Sequence, residues 1–145
     1  MIAKRFVVDA CVALKWSLRD EGEVDQADVL LNDLIDGKIQ LLAPTLLDYE
    51  ITNALKMSVV RGRINELDAI QALKDYWAYS IERHDFSLIQ LLTFQLSNKH
   101  QRSVYDATYM ALAQSQGIEL ITGDKKLFNS VAASLTWVKW IGDYQ

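Results

Sequence analysis

Apolar positions along the chain fall into two kinds of run. Phe6-Val7-Val8, Ile39-Gln40-Leu41-Leu42-Ala43, Ile118 to Thr122 and Trp137 to Ile141 are short and nearly continuous, and each stops at an aspartate, a proline or a glycine. Runs of that length predict strands buried on both faces. Ile81-Glu82-Arg83-His84 is less apolar and reads as a further, weaker strand. Between these runs the apolar residues recur at helical spacing. Val12 to Arg19 predicts a short helix, and Val24 to Asp36 a longer one carrying Ala27, Leu30, Leu31, Leu34 and Ile35, stopped at Gly37. Thr45, with Asp48 three residues on, has the spacing of a capping box and opens a helix through Glu50, Asn53 and Leu55 towards Arg61 and Gly62. Asn65 opens another with Leu67, Ile70, Leu73 and Trp77 on one face, and Ser87 to Ser97 is helical around Leu88, Leu91, Leu92 and Leu96. The helix from Ser103 to Gln114 is apolar or small on most sides, which predicts near-complete burial. Strands alternating with helices predict an α/β sandwich on a mainly parallel sheet, a single domain over residues 1–145.

Composition narrows the class. Of 145 residues half are hydrophobic, with one proline and six glycines, as in a compact globular domain. No apolar run reaches the roughly 18 residues of a membrane span. The apolar stretch after the basic N-terminus is broken at Asp9, too early for a signal peptide, so the expected location is cytoplasmic. The single cysteine, Cys11, excludes an internal disulfide framework and offers no zinc-ligand spacing. A net charge of −4 argues against a protein that grips nucleic acid by a broad basic surface. It leaves room for an enzyme whose acidic residues bind cations, because bound cations reverse the local sign.

Four carboxylates stand out. Asp9 and Asp124 each follow a predicted buried strand and precede a helix, and in a parallel sheet ligands collect at the strand C-termini. Each equally suits a plain N-cap. Asp106 lies in the first turn of the largely apolar helix, where Ser103-x-x-Asp106 also fits a capping box. Glu50 sits inside a helix on a half-apolar face, with Asn53 one turn on as a side chain that could orient it. Together the four could converge on one edge of the sheet. Such a cluster repels itself unless protonated or bridged by cations, and its hard oxygen ligands suit Mg²⁺ or Mn²⁺. That is the equipment of metal-assisted phosphodiester hydrolysis.

The segments Phe6 to Trp16, Glu50-x-x-Asn53-Ala54-Leu55, Tyr105-Asp106-Ala107 and Leu120 to Leu127 closely resemble PIN-domain proteins of the VapC toxin type, in order and spacing, over residues 6 to about 141. The resemblance implies a three-layer α/β/α fold and an Mg²⁺- or Mn²⁺-dependent endoribonuclease leaving 3′-hydroxyl and 5′-phosphate ends. It implies Asp9, Glu50, Asp106 and Asp124 as the acidic site, a small cognate antitoxin as inhibitor, and commonly a homodimer. One position departs from the pattern: Cys11 stands where the family often has serine or threonine, and a thiol is the weaker hydrogen-bond donor. A small cysteine that merely packs is the plainer reading.

Thr122, two residues before Asp124, could donate to a phosphate or a site carboxylate, or serve only as a β-branched strand residue. Lys15, Arg19, Lys56, Arg61, Arg63, Lys99, His100, Arg102, Lys125 and Lys126 include candidates for RNA-backbone contacts. Trp16, Tyr76, Trp77 and Tyr79 suggest an apolar groove for a partner helix, or core packing. Two other enzyme or signalling classes fit poorly. A haloacid-dehalogenase-like phosphatase would need a second aspartate at position 11, and a receiver domain an adjacent acidic pair after its first strand. The rival of a different class is a non-catalytic PIN-like module that binds RNA or protein.

Overall fold

A computed structural model describes residues 2–145. Five strands form one sheet: β1 (Lys4–Val8), β2 (Ile39–Pro44), β3 (Ile81–His84), β4 (Glu119–Thr122) and β5 (Val138–Trp140), in the order β3-β2-β1-β4-β5 with every neighbouring pair parallel. The helices are α1 (Ala10–Leu14), α2 (Val24–Ile35), α3 (Leu46–Val60), α4 (Glu66–Ala78), α5 (Gln90–His100), α6 (Val104–Gln116) and α7 (Lys125–Val131). From β1 the chain steps outward through β2 to β3, then crosses back to β4 and continues to β5. Because crossovers between parallel strands are right-handed, this reversal puts α1–α4 on one face and α5–α6 on the other. The result is the expected three-layer α/β/α sandwich. The reversal also leaves a switch point between β1 and β4, where their C-terminal ends diverge to opposite sides.

Val7, Val8, Leu41, Leu42, Leu120 and Ile121 are at most 2% exposed, as strands covered on both faces require. Against them lies α6, in which every residue from Ala107 to Ala113 is buried, enclosed by β1, β2 and β4 on one side and α5 on the other. Small residues at Ala107, Ala111 and Ala113 permit that close approach. Gly117, at φ +66°, ends α6 in the left-handed conformation glycine adopts without strain, and turns the chain into β4. Since α6 runs antiparallel to the strand it precedes, its first turn lies at the C-terminal edge of the sheet.

Four local expectations change. Helix α5 begins at Gln90, after a short 3-10 turn at Phe86–Leu88, and buries Thr93 and Leu96 while Leu88 and Leu91 are exposed. Thr45 makes no capping bond; Asp48 instead accepts hydrogen bonds from Tyr76 Oη (2.6 Å) and from Arg83 Nε and Nη2 (3.3 and 3.2 Å), a tie from α3 to α4 and β3. Helix α1 ends at Leu14 rather than near Arg19; the following turn is fixed by Lys15 Nζ on the Gly22 carbonyl and by Arg19 paired with Asp28. In α4 the stripe Leu67, Ile70, Trp77 faces outward, and Ala69, Ala72 and Tyr76 form the buried side. Alanines can sit tightly against α3, and the large residues are left outside.

The orientation of α4 has a direct check. Tyr76→Ala should cost about 3–5 kcal/mol, as for other buried aromatic truncations. Leu67→Ser, at a position 78% exposed, should stay within about 0.5 kcal/mol. Chemical denaturation of the two variants measures both; comparable losses would mean that α4 is turned the other way.

Candidate active site

The register Val8↔Ile121 brings the next residue of each chain, Asp9 and Thr122, abreast at the switch point. Asp9 is 6% exposed. Its Oδ1 accepts from the backbone N–H groups of Val12 (3.1 Å) and Gly123 (3.1 Å), and its Oδ2 accepts from Thr122 Oγ1. The aspartate is therefore the N-cap of α1 and a buried carboxylate at once. Burial pushes its pKa up to about 6, against the opposing pull of its three hydrogen bonds, with a smaller push from Asp124.

Gly123 makes this possible. A Cβ there would lie 2.7 Å from the Cys11 carbonyl carbon, 2.8 Å from Cys11 Cβ and 2.8 Å from Val12 N. Only glycine lets the end of β4 press onto the β1–α1 turn closely enough for its N–H to reach Asp9. Asp124 follows. Its Oδ1 caps α7 through the N–H groups of Lys126 (2.9 Å) and Leu127 (3.2 Å), and its own N–H donates to Thr122 Oγ1 (3.0 Å). Thr122, fully buried, thus joins the two aspartates.

Across the edge, Ser103 Oγ accepts from Asp106 N–H (3.0 Å), which is half of a capping box. The reciprocal half is missing, because the Asp106 carboxylate turns to Arg102, whose Nη2 lies 2.9 Å from Oδ2. Glu50 on α3 is half-buried and accepts a 2.5 Å hydrogen bond from Tyr109 Oη, one turn after Asp106 on α6. Burial raises the Glu50 pKa, the Tyr109 bond opposes that, and Asp106 adds to it. The orienting group for Glu50 is therefore Tyr109; Asn53 is exposed on α3, beside Tyr49 and Lys56.

The four carboxylates stand as two electrostatically linked pairs, Asp9 with Asp124 and Glu50 with Asp106. Tyr109 feels both Glu50 and Asp9, and Cys11 feels Asp9, Asp124 and Glu50, so the pairs share one neighbourhood. Burial and this negative field raise the Cys11 thiol, keeping it neutral and poorly reactive. Among the described residues no three of the His, Cys, Asp and Glu side chains are gathered tightly enough to hold one ion. The donor set is nonetheless all carboxylate oxygen, the kind that suits a hard divalent cation. Tyr109, which the sequence motifs did not single out, bonds Glu50, and Arg102, weighed only as a candidate RNA contact, bonds Asp106. Tyr109 sits at helical spacing from Asp106, which was the available signal. Of the basic residues weighed for RNA, Lys15 is buried and Arg63 is paired with Asp20 and Glu21.

A model of the PIN domain family matches residues 6–134. Ribonuclease VapC3 of Pyrobaculum aerophilum is 33% identical over 90 residues, 61% of this chain and 69% of that protein. Ribonuclease VapC9 of Mycobacterium tuberculosis is 31% identical over 121 residues, 83% of this chain and 87% of that protein. In a solved toxin-antitoxin complex from Klebsiella pneumoniae, one chain shares the fold with a TM-score of 0.60 at 21% identity, over 91% of this chain and 93% of that one.

The raised Asp9 pKa fixes the sign of a stability effect. Asp9 ionises near 3.8 when unfolded and near 6 when folded, so between those values the folded state holds the extra proton. Stability from this group is full below about pH 4, falls as pH rises and is gone above about pH 6. In the metal-free protein Asp9→Asn should raise stability at pH 7.5 by up to about 3 kcal/mol, with the gain vanishing near pH 4. Thermal melts of both proteins across pH 4–8 check it, and a difference independent of pH would refute it. Gly123→Ala should cost about 1–3 kcal/mol through the overlap with Cys11, read in the same melts.

Proposed function

This chain belongs to the PIN-domain family, in its VapC-type branch, and on that footing we propose that it is a divalent-cation-dependent endoribonuclease, the toxin of a toxin–antitoxin pair. The observation that carries the reading is Asp9, a buried carboxylate at the β1/β4 switch point whose three hydrogen-bond partners are all neutral. An ionised group so placed calls for a cation, and Asp124, which adds to the Asp9 field, and the neighbouring pair Glu50 and Asp106 would supply further oxygen ligands.

Asp9, Asp124, Asp106 and Glu50 would hold the ion, Mg²⁺ or Mn²⁺. When bound, such an ion lowers the pKa of coordinated water and offsets charge on a phosphate. The chain's own contribution is positioning. Val12, Gly123 and Thr122 fix both oxygens of Asp9, so its direction is set before any ligand arrives. Capping engages Asp124 Oδ1, and Oδ2 makes no hydrogen bond among the described residues. Tyr109 engages Glu50 Oε1, which leaves Oε2 as the oxygen available for a cation or a proton. Cys11 contributes bulk rather than charge.

RNA would lie across this edge. The exposed Trp77 of α4 borders a groove of about 450 Å³ that is also lined by Asp48, Thr52, Leu73, Lys74 and Tyr76. This surface suits an amphipathic antitoxin segment, and exposed Leu88, Leu91 and Phe94 on the opposite layer suit a second copy of the chain. No described helix is long and apolar enough to cross a membrane.

The test is cleavage of a mixed pool of structured RNAs by antitoxin-free protein, with and without Mg²⁺ or Mn²⁺. Wild type should cleave only with the cation, leaving 5′-phosphate ends. Asp9→Asn and Asp106→Asn, each confirmed folded, should lose at least about 100-fold, more than second-shell changes typically cost. Activity surviving in both variants would overturn the assignment, and metal binding without cleavage of any RNA would favour a binding module. Cys11→Ser should retain activity within a few-fold.

A further inference from the structure

Among the described residues, Arg102 is the one cation in ion-pair contact with any of the four acids. It occupies the turn between α5 and α6, where its backbone is clamped on both sides by Ser97. Its N–H donates to the Ser97 carbonyl (3.2 Å), and its own carbonyl accepts from Ser97 Oγ (2.6 Å). The preceding residue, Gln101, takes the left-handed conformation at φ +53°, which reverses the chain so that Arg102 arrives one turn before Asp106. The position of this guanidinium is thus built into the turn.

The use made of it is small. A guanidinium has five N–H donors. Only Nη2, on Asp106 Oδ2 at 2.9 Å, has a hydrogen-bond partner among the described residues, and Nε is buried without one. A side chain only 23% exposed, with a buried unpaired donor, is anchored at the acidic edge well beyond what the helix start needs. Ser103 already caps α6.

We infer that Arg102 is a phosphate-binding residue of the nuclease site, held on Asp106 until a divalent cation takes its place. The inference rests on the endoribonuclease reading. A cation bound by Asp106 would repel the guanidinium and remove its only partner. The planar fork of Arg102 then has its donors free for the non-bridging oxygens of an RNA phosphate, an anion it matches geometrically. In a chain of net charge −4, a cation fixed beside the acidic edge is what an RNA strand needs there. The pair therefore works in two directions: Arg102 competes with the metal in the free protein and holds the substrate in the loaded one.

Opposite signs in two binding measurements test this. Arg102→Gln and Arg102→Lys are compared with wild type for Mn²⁺ affinity in the absence of RNA, by electron paramagnetic resonance of free Mn²⁺. Binding of a labelled mixed-sequence 12-mer RNA in Mn²⁺ is followed by fluorescence anisotropy at several salt concentrations, with intact RNA confirmed by gel. Arg102→Gln should bind Mn²⁺ roughly 5-fold tighter, the upper range for a part-exposed ion pair. It should bind RNA about 10-fold more weakly. The slope of log affinity against log salt should shrink by about 0.7, one phosphate contact on a single strand. Arg102→Lys should restore the slope while recovering only part of the affinity. Weaker Mn²⁺ binding, or an unchanged salt slope, in Arg102→Gln would overturn the inference and leave Arg102 as a prop for Asp106. Wild type that binds neither Mn²⁺ nor RNA would overturn the nuclease reading itself, a result separable from the first because it appears before any substitution.

Discussion

A carboxylate can be buried at the end of a strand only if the next strand brings its hydrogen-bond partners. Here β4 brings two of the three that Asp9 uses, the Thr122 hydroxyl and the Gly123 N–H, and α1 supplies the third. The arrangement depends on β1 and β4 being neighbours, which in turn depends on the chain reversing direction after β3. It also depends on residue 123 having no side chain. Topology, register and a single missing Cβ thus converge on one carboxylate. The site and the centre of the fold share the same few bonds, so a change to either disturbs the other.

That sharing shows that a cap and a second role for the same carboxylate do not exclude one another. Asp9 and Asp124 both cap helices, and Asp106 sits in the first turn of a helix capped by Ser103. Capping engages one oxygen of Asp124 and leaves the other, so one carboxylate can serve the backbone and a ligand together. Such caps also hold the carboxyl plane still, which a chelating site requires. The cost appears at Asp9, whose ionisation is made harder by burial. A fold optimised for its own stability would place a neutral acceptor such as asparagine there, which keeps the Val12 and Gly123 bonds without a buried charge.

Most of the architecture was legible because it depends on local pattern. Short apolar runs marked the strands, and glycines and caps such as Gly37, Asn65, Ser103 and Gly117 marked several helix limits. What was not legible depends on which way a helix is rolled. Leu67, Ile70 and Trp77 have core-like spacing, yet α4 meets α3 through Ala69, Ala72 and Tyr76, and periodicity cannot tell a buried stripe from an exposed apolar one. Side-chain pairing across distant segments was equally hidden. Asn53, one turn from Glu50, looked like its natural partner, but Tyr109, 59 residues away, reaches it instead. Thr45 and Asp48 had capping-box spacing, yet Tyr76 and Arg83 offered Asp48 stronger partners from elsewhere in the fold.

The distribution of charge sets the acidic edge apart from the rest of the surface. Arg19, Arg63 and Arg83 are paired with Asp28, with Asp20 and Glu21, and with Asp48, while Lys15 is sunk onto a backbone carbonyl. These cations stabilise loops and helix contacts and have little left for a partner. The acidic edge differs: four carboxylates are served mostly by neutral backbone and hydroxyl donors, with one arginine among them. Neutral donors orient a carboxylate without cancelling its charge, so the negative potential survives for a cation. Had each acid been matched by a lysine or arginine, that potential would be cancelled by ordinary ion pairs. The scarcity of cations at this edge is therefore what separates it from the ion-paired surface elsewhere on the molecule.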